Sequence, residues 1–336
     1  MTEFEWRMKR VKHAVLIPFE WIGIVVALAV IACLPRRGLW AFCDVLSVVM
    51  FCFDRRGKRQ ALENLRIVRG QRRDIASIFQ FDPDKTKFDA TASELRILRR
   101  SYRNMARTVG YAFWTCIRAK ARCAETGIVS EPAKEFLAAN KPAVTVSGHI
   151  GCWEILSQLA YLEGHQMMSV AKNIGTRGMT ALLMRARRSI GQEIVPAGGA
   201  FKPLMQGLRD GKSLGLLVDQ RVDPKDGGIW VRLFGVPMAV SAAPAFFAAK
   251  GKAPIVVAWA RPLKDGRYRC DLLDTIPLAE ARDIWATTQR CTRDLERIIR
   301  RHPSCWVLNY NFFSNYPFPA DLKTLAEREA KAGREK

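Results

Sequence analysis

The chain has 336 residues, enough for a sizeable buried core and for one catalytic domain with an appendage. Hydrophobic residues at 49%, charged residues at 26% and a mean hydropathy of -0.06 exclude both a disordered chain and a polytopic membrane protein. The 54 Lys and Arg against 32 Asp and Glu leave a net charge of +22, which directs attention to anionic partners: nucleic acid, anionic lipid headgroups or an acidic carrier protein.

At the N-terminus, residues 14–19 and 21–34 form an apolar stretch interrupted by Glu20 and flanked by Arg7, Lys9, Arg10 and Lys12 before it and Arg36 and Arg37 after it. Together they approach the roughly 20 residues that span a bilayer, although Glu20 and Pro18 disfavour a firm crossing and leave an interfacial anchor open. A secretory leader is a poorer fit, because the run ends at Pro35-Arg36-Arg37 without a small-x-small cleavage site. A second apolar patch, Trp40 to Phe53, is broken by Asp44. The two patches predict a retained membrane-associated helical segment over 1–53, with an ordinary pair of core helices as the alternative. The run Arg55-Arg56-Gly57-Lys58-Arg59 enters a helix near Ala61 to Leu65. It is either a solvated face or a set of cations at the level of anionic headgroups. Residues 70–93, with Asp82-Pro83-Asp84-Lys85, read as a polar surface insertion.

From Lys141 the pattern alternates. Short apolar runs (Ala143 to Val146, Leu214 to Val218, Pro254 to Trp259) are separated by helix-like segments at 153–163, 176–191, 200–210 and 241–251. This predicts an α/β fold, a mixed sheet covered by helices. The expected organisation is membrane-associated helices at 1–53, a catalytic domain at 54–320 and a polar, solvated C-terminal tail at 321–336. Gly207 to Ser213 imitates a phosphate loop with one residue too few between its glycines and a strand after it rather than before it, so it reads as a helix-ending turn. Gly198-Gly199 lacks the third glycine of a dinucleotide site. The nine cysteines (Cys33, Cys43, Cys52, Cys116, Cys123, Cys152, Cys270, Cys291, Cys305) form no C-x-x-C pair, and neither a zinc site, a nucleotide nor any other cofactor is expected.

The stretch that carries chemistry is Val144-Thr-Val-Ser147-Gly148-His149-Ile150-Gly151-Cys152-Trp153-Glu154. A β-branched strand ends in Ser-Gly, His149 stands at its exit, and a helix begins with Glu154 in its first turn. On one regular helix the five-residue offset would turn the two side chains about 140° apart, so they can meet only if His149 precedes the helix and folds back. In that arrangement Glu154 would hold one ring nitrogen while the other takes a proton from a bound hydroxyl. The alternatives are a capped helix with an incidental histidine, and a Cys152 thiolate nucleophile with His149 as its base. At a second strand exit stand Asp219, Gln220 and Arg221; taken alone, Asp219 reads as a loop-capping or hydrogen-bonding residue. Between the two exits lie Lys172, Arg177, Arg185, Arg187 and Arg188, and Arg185 and Arg188, three apart, share a helix face suited to an anionic group.

The GHIGCWE setting of His149-x4-Glu154, the strand LxxGKSLGLLVDQ, the segment VRLFGVP, Pro244 ahead of FFAAKGKAPIVVA and the early RQALENL resemble the lipid A biosynthesis acyltransferases, the late lauroyl and myristoyl transferases, whose relatives acylate mannosylated phosphatidylinositol. The likeness runs from about residue 14 to 315. It implies a glycerolipid-acyltransferase-like fold and transfer of an acyl chain from an acyl carrier protein or coenzyme A thioester to a lipid hydroxyl. It further implies catalytic roles for His149 and Glu154, a near-site role for Asp219, and an enzyme anchored in the bacterial inner membrane and facing the cytoplasm. Substrate-binding roles are expected for Asp219, Gln220, Lys172, Arg185 and Arg188. The chain departs from that family at Trp306-Val-Leu-Asn309-Tyr-Asn311-Phe312, where asparagines stand at the apparent His and Arg positions, and in the 70–93 insertion. Two rival classes remain: a non-catalytic basic lipid-binding membrane protein that retains the acyltransferase fold, and a nucleic-acid binder. The second has no recognisable module and leaves the apolar N-terminus without a purpose.

Overall fold

The computed structural model describes residues 30–334 other than 32, 140–141, 172–176 and 315–316. The apolar stretch at 14–29 and the candidate Lys172 lie outside the described residues. Among those described, the elements in order are α1 (Arg36–Phe53), α2 (Arg55–Val68), α3 (Ile75–Phe79), α4 (Ala92–Trp114), α5 (Ala119–Thr126), β1 (Gly127–Val129), α6 (Glu131–Ala139), β2 (Val144–Ser147), α7 (Trp153–Leu162), β3 (Met167–Ala171), α8 (Arg177–Ser189), β4 (Glu193–Pro196), α9 (Phe201–Arg209), β5 (Ser213–Leu217), β6 (Gly228–Leu233), β7 (Val236–Ser241), α10 (Ala243–Gly251), β8 (Ile255–Pro262), β9 (Tyr268–Ile276), α11 (Ile284–Arg301) and α12 (Pro319–Arg334). The three strands and four helices expected after Lys141 are all present, with ends shifted by at most three residues.

Seven strands form one sheet in the order β1-β9-β8-β2-β5-β3-β4. Strands β8, β2, β5, β3 and β4 run parallel, and β9 and β1 run against them. The parallel strands carry the apolar runs because both faces are covered: Val144, Val146, Leu214, Ile255 and Val257 sit in one core, and α7 closes a second with Ile155 and Leu159. In such a sheet the carboxyl ends of neighbouring parallel strands open onto one crevice. The exits of β2 and β5 are adjacent, since Ser147 pairs with Leu217. The loop Gly207 to Ser213 is a helix-ending turn between α9 and β5, as its spacing indicates.

Helix α4 fastens the top of this crevice. Its start is a capping box of Thr91 and Glu94, and Glu94 also holds Arg66 of α2. Farther along, Ser101 Oγ donates to the Trp306 carbonyl at 2.6 Å, Asn104 Nδ2 to that of Ser304 at 2.8 Å, and Thr108 Oγ1 to that of Gly151 at 3.0 Å. From α2, Asn64 Nδ2 donates to the carbonyls of Leu308 and Tyr310. The 304–310 segment is thus pinned across the strand ends by buried side-chain amides and hydroxyls. The α2 helix uses its apolar face for the core (Ala61, Leu62, Leu65) and leaves Arg55 and Arg56 exposed.

Three expectations change. The insertion at 70–93 is not purely polar surface: α3 buries Ile78, and Phe79 and Phe88 pack on the core. The tail at 321–336 is not simply solvated, because α12 buries Leu325 and Glu329 pairs with Arg232 at 2.6 Å. Of the membrane-associated segment 1–53, the described part includes α1, whose inner face (Leu39, Trp40, Cys43, Phe51) packs into the body; Trp40 Nε1 donates to the Gly266 carbonyl. No helix among the described residues is long and apolar enough to cross a membrane.

Candidate active site

His149 leaves β2 in a tight turn that only glycines permit. Gly151 has φ +62°, and a Cβ there would come 1.9 Å from the Ala260 carbonyl oxygen. A Cβ on Gly148 would lie 3.0 Å from the Asp219 carboxyl carbon, so its absence lets the second strand's carboxylate approach the backbone. The turn is locked by Gly151 N–H to the Cys305 carbonyl, Cys152 N–H to that of Ala260, and Val307 N–H to that of His149.

Asp219, one residue past Val218 at the exit of β5, is the carboxylate that holds His149. The ring Nδ1–H donates to Asp219 Oδ1 at 2.9 Å and the His149 backbone N–H to Oδ2 at 2.8 Å. Trp306 Nε1–H donates to Oδ2 at 2.9 Å. An ionised carboxylate only accepts, so Nδ1 carries the proton and Nε2 of the neutral ring is left basic. Nε2 has no hydrogen-bond partner among the described residues, and the ring stays partly open, 22% exposed, while Asp219 is buried. The Trp153 ring meets the imidazole edge-on at 5.1 Å, and Trp306 is stacked on Phe312 at 4.0 Å.

This corrects the expected pairing of His149 with Glu154. Glu154 does sit in the first turn of α7, but its carboxylate faces Arg187 of α8, which donates from Nε at 3.0 Å and Nη2 at 2.6 Å; Trp153 Nε1 donates to it as well. The in-register pairing of β2 and β5 brings Asp219 alongside the turn first, and the α7–α8 contact supplies Glu154 with a bidentate cation of its own.

Electrostatics follow from burial and pairing. Burial by itself disfavours the imidazolium, but the charge and hydrogen bond of Asp219, aided by the charge of Glu154, outweigh it and raise the His149 pKa above 6.5. Burial likewise opposes ionisation of Asp219, yet His149 and the Trp306 and backbone donors carry its pKa below 3.8. Cys152 is fully buried and its thiol is pushed far above the ordinary range, first by burial and then by the charge of Glu154, which removes the thiolate alternative.

Of the other expected residues, Gln220 is half-buried beside Asp219 and has no side-chain hydrogen bond among the described residues, and Arg185 and Arg188 are exposed on α8. Their neighbour Arg187 is the arginine that turns inward. Arg187 and Trp306 are the two site residues that sequence reasoning did not select. Three-residue spacing favoured Arg185 and Arg188, and only the tryptophan among the asparagines of 306–312 gave a signal for that segment.

No curated protein matches the chain. The sequence profile of the bacterial lipid A biosynthesis acyltransferases matches residues 88–313, more than half of the chain and the whole span from α4 through the Trp306 segment that contains every group just described. With His149, Glu154 and Asp219 all inside that match, the chain belongs to the bacterial lipid A biosynthesis acyltransferase family and is an acyltransferase.

Proposed function

We propose that the protein is a membrane-bound enzyme that moves a fatty acyl chain from an acyl carrier protein or coenzyme A thioester to a hydroxyl of a lipid A precursor or a related glycolipid or phospholipid. His149 Nε2 removes the hydroxyl proton as the oxygen attacks the thioester carbonyl. The tetrahedral intermediate collapses, the C–S bond breaks, and the imidazolium returns its proton to the departing thiolate. Asp219 fixes the tautomer and steadies the imidazolium. Glu154 and Arg187 together brace the wall of the site beside His149. The first turn of α7, which has no side-chain cap, offers backbone N–H dipoles for the developing oxyanion. Gln220, Lys172, Arg185 and Arg188 are assigned to the acceptor headgroup. The apolar stretch at 14–34 serves as an anchor on the cytoplasmic face of the inner membrane, and the charge of +22 favours both anionic lipid and an acidic carrier.

The observation that carries the reading is the buried chain Trp306–Asp219–His149, which ends at the mouth of parallel strands in a basic nitrogen with no hydrogen-bond partner among the described residues. The test is acceptor-dependent release of free thiol from an acyl thioester. Removing the base should lower turnover about 10²–10⁴-fold in a folded His149→Ala enzyme. Retention of more than half the rate would sink the mechanism.

A further inference from the structure

The outward face of α1 has nothing to cover it among the described residues. Phe42, Val45, Leu46, Val48, Val49 and Phe53 are exposed, Val45 at 66% and Phe53 at 82%. Between Arg37 and Asp54 the helix carries a single charge, Asp44, and Arg107 of α4 holds it bidentately at 2.7 and 2.6 Å. A helix apolar on both faces belongs in an apolar medium. The charges beside it have a definite arrangement. Arg99, Arg103 and Arg107 recur every four residues on α4. Arg107 lies over the Trp40 ring at 5.6 Å and Arg99 over the Phe51 ring at 5.9 Å, so the row runs along one flank of α1 with Arg103 between. Arg99 and Arg103 are exposed and form no ion pair among the described residues, and exposed Arg37 and Arg55 stand at the two ends of the strip.

We infer that α1 lies flat in the headgroup region of an anionic bilayer, with its apolar strip in the acyl boundary and Arg99 and Arg103 on lipid phosphates. An apolar strip about 17 Å long from Phe42 to Phe53, with cations beyond both ends and along one flank, matches a bilayer surface, which offers a continuous apolar layer under a plane of phosphates. An acidic carrier protein would answer the arginines but not the strip. The inference deepens the membrane part of the proposed function and rests on it. It makes the protein selective for anionic lipid at a surface separate from the catalytic groups.

Cys52, exposed on the same face, is a built-in probe. In the full chain with Cys33→Ser and Cys116→Ser, which leaves Cys52 as the accessible thiol among the described residues, a polarity-sensitive dye on Cys52 should shift to the blue and be quenched by brominated acyl chains when phosphatidylcholine vesicles containing phosphatidylglycerol are added. Arg99→Gln with Arg103→Gln should weaken binding to those vesicles about 25-fold, from about fivefold per arginine, and leave binding to pure phosphatidylcholine unchanged. Val45→Gln with Val49→Gln, both exposed and so harmless to folding, should weaken binding to both. Thiol release in detergent micelles should be unaffected by the arginine pair, so a failure of the surface is separable from a failure of the enzyme reading. The inference is overturned if the dye on vesicle-bound protein stays open to aqueous iodide, or if it is already shielded before lipid is added, which would mean that residues 1–29 or a second copy cover the strip. It is equally overturned if the arginine pair raises the carrier-thioester KM while vesicle affinity stays constant.

Discussion

Asp219→Asn separates the two carboxylates that could serve His149. Three donors converge on Asp219: His149 Nδ1–H, His149 N–H and Trp306 Nε1–H, all at 2.8 to 2.9 Å and all in a buried pocket. An asparagine offers one acceptor oxygen and adds two donors. If that oxygen faces the backbone and Trp306, the amide donates to Nδ1, the proton moves to Nε2, and the base is lost. If it faces Nδ1, the two donors that met Oδ2, His149 N–H and Trp306 Nε1–H, oppose an N–H₂ group at about 1–3 kcal/mol each. The expected result is a fall in kcat/KM of about 10²–10⁴-fold, with a lower melting temperature in a chain that still folds. The pH profile gives the second signature. In the native enzyme the rate should rise with pH through a His149 pKa above 6.5, since the neutral ring is the active form. Without the carboxylate, burial dominates and the limb should move to lower pH. Glu154→Gln retains Asp219 and should leave the limb nearly in place. Initial rates across pH, with circular dichroism as the folding control, decide the matter. A folded Asp219→Asn enzyme retaining more than a tenth of the rate, beside a folded Glu154→Gln enzyme whose rate falls about 10²-fold or more and whose limb moves to lower pH, would refute the assignment.

The same pair makes stability depend on pH. Asp219 contributes fully above its unfolded value of 3.8 and is lost as pH falls through its lower folded value; His149 contributes fully below 6.5 and is lost as pH rises through its higher one. The difference in melting temperature between the native chain and His149→Asn should therefore be greatest between those two values, and a difference that grows above them would contradict the pairing. Cys152→Ser should retain near-normal turnover because its thiol is buried and protonated, and complete loss in a folded variant would restore the thiolate mechanism. Replacing Arg185 and Arg188 together with Gln should raise the acceptor KM about tenfold or more and leave the donor KM alone. An unchanged acceptor KM removes both from the site.

Local sequence determined the elements, because burial on a parallel sheet writes itself into short apolar runs and the helices between them into a longer period. Val144 to Ser147, Ser213 to Leu217 and the turn at Gly211 were legible for that reason, as was His149 at a strand exit between glycines. Pairing across the chain was not. Asp219 lies 70 residues from His149 and reaches it only because β2 and β5 are neighbours in register, a choice of sheet order that no local period encodes. Glu154 was the sequence's candidate because it is near in the chain, and tertiary packing of α8 gave it Arg187 instead, 33 residues away. Trp306 follows a single 3-10 turn, Pro303–Cys305, and bridges to Ile150, in a segment held by Asn64, Ser101 and Asn104 from two early helices. Composition fixed the charge and the apolar content of α1, but which of its faces turns inward depended on α4. A side chain's burial is a property of its neighbours, and those are assigned only when the chain closes on itself.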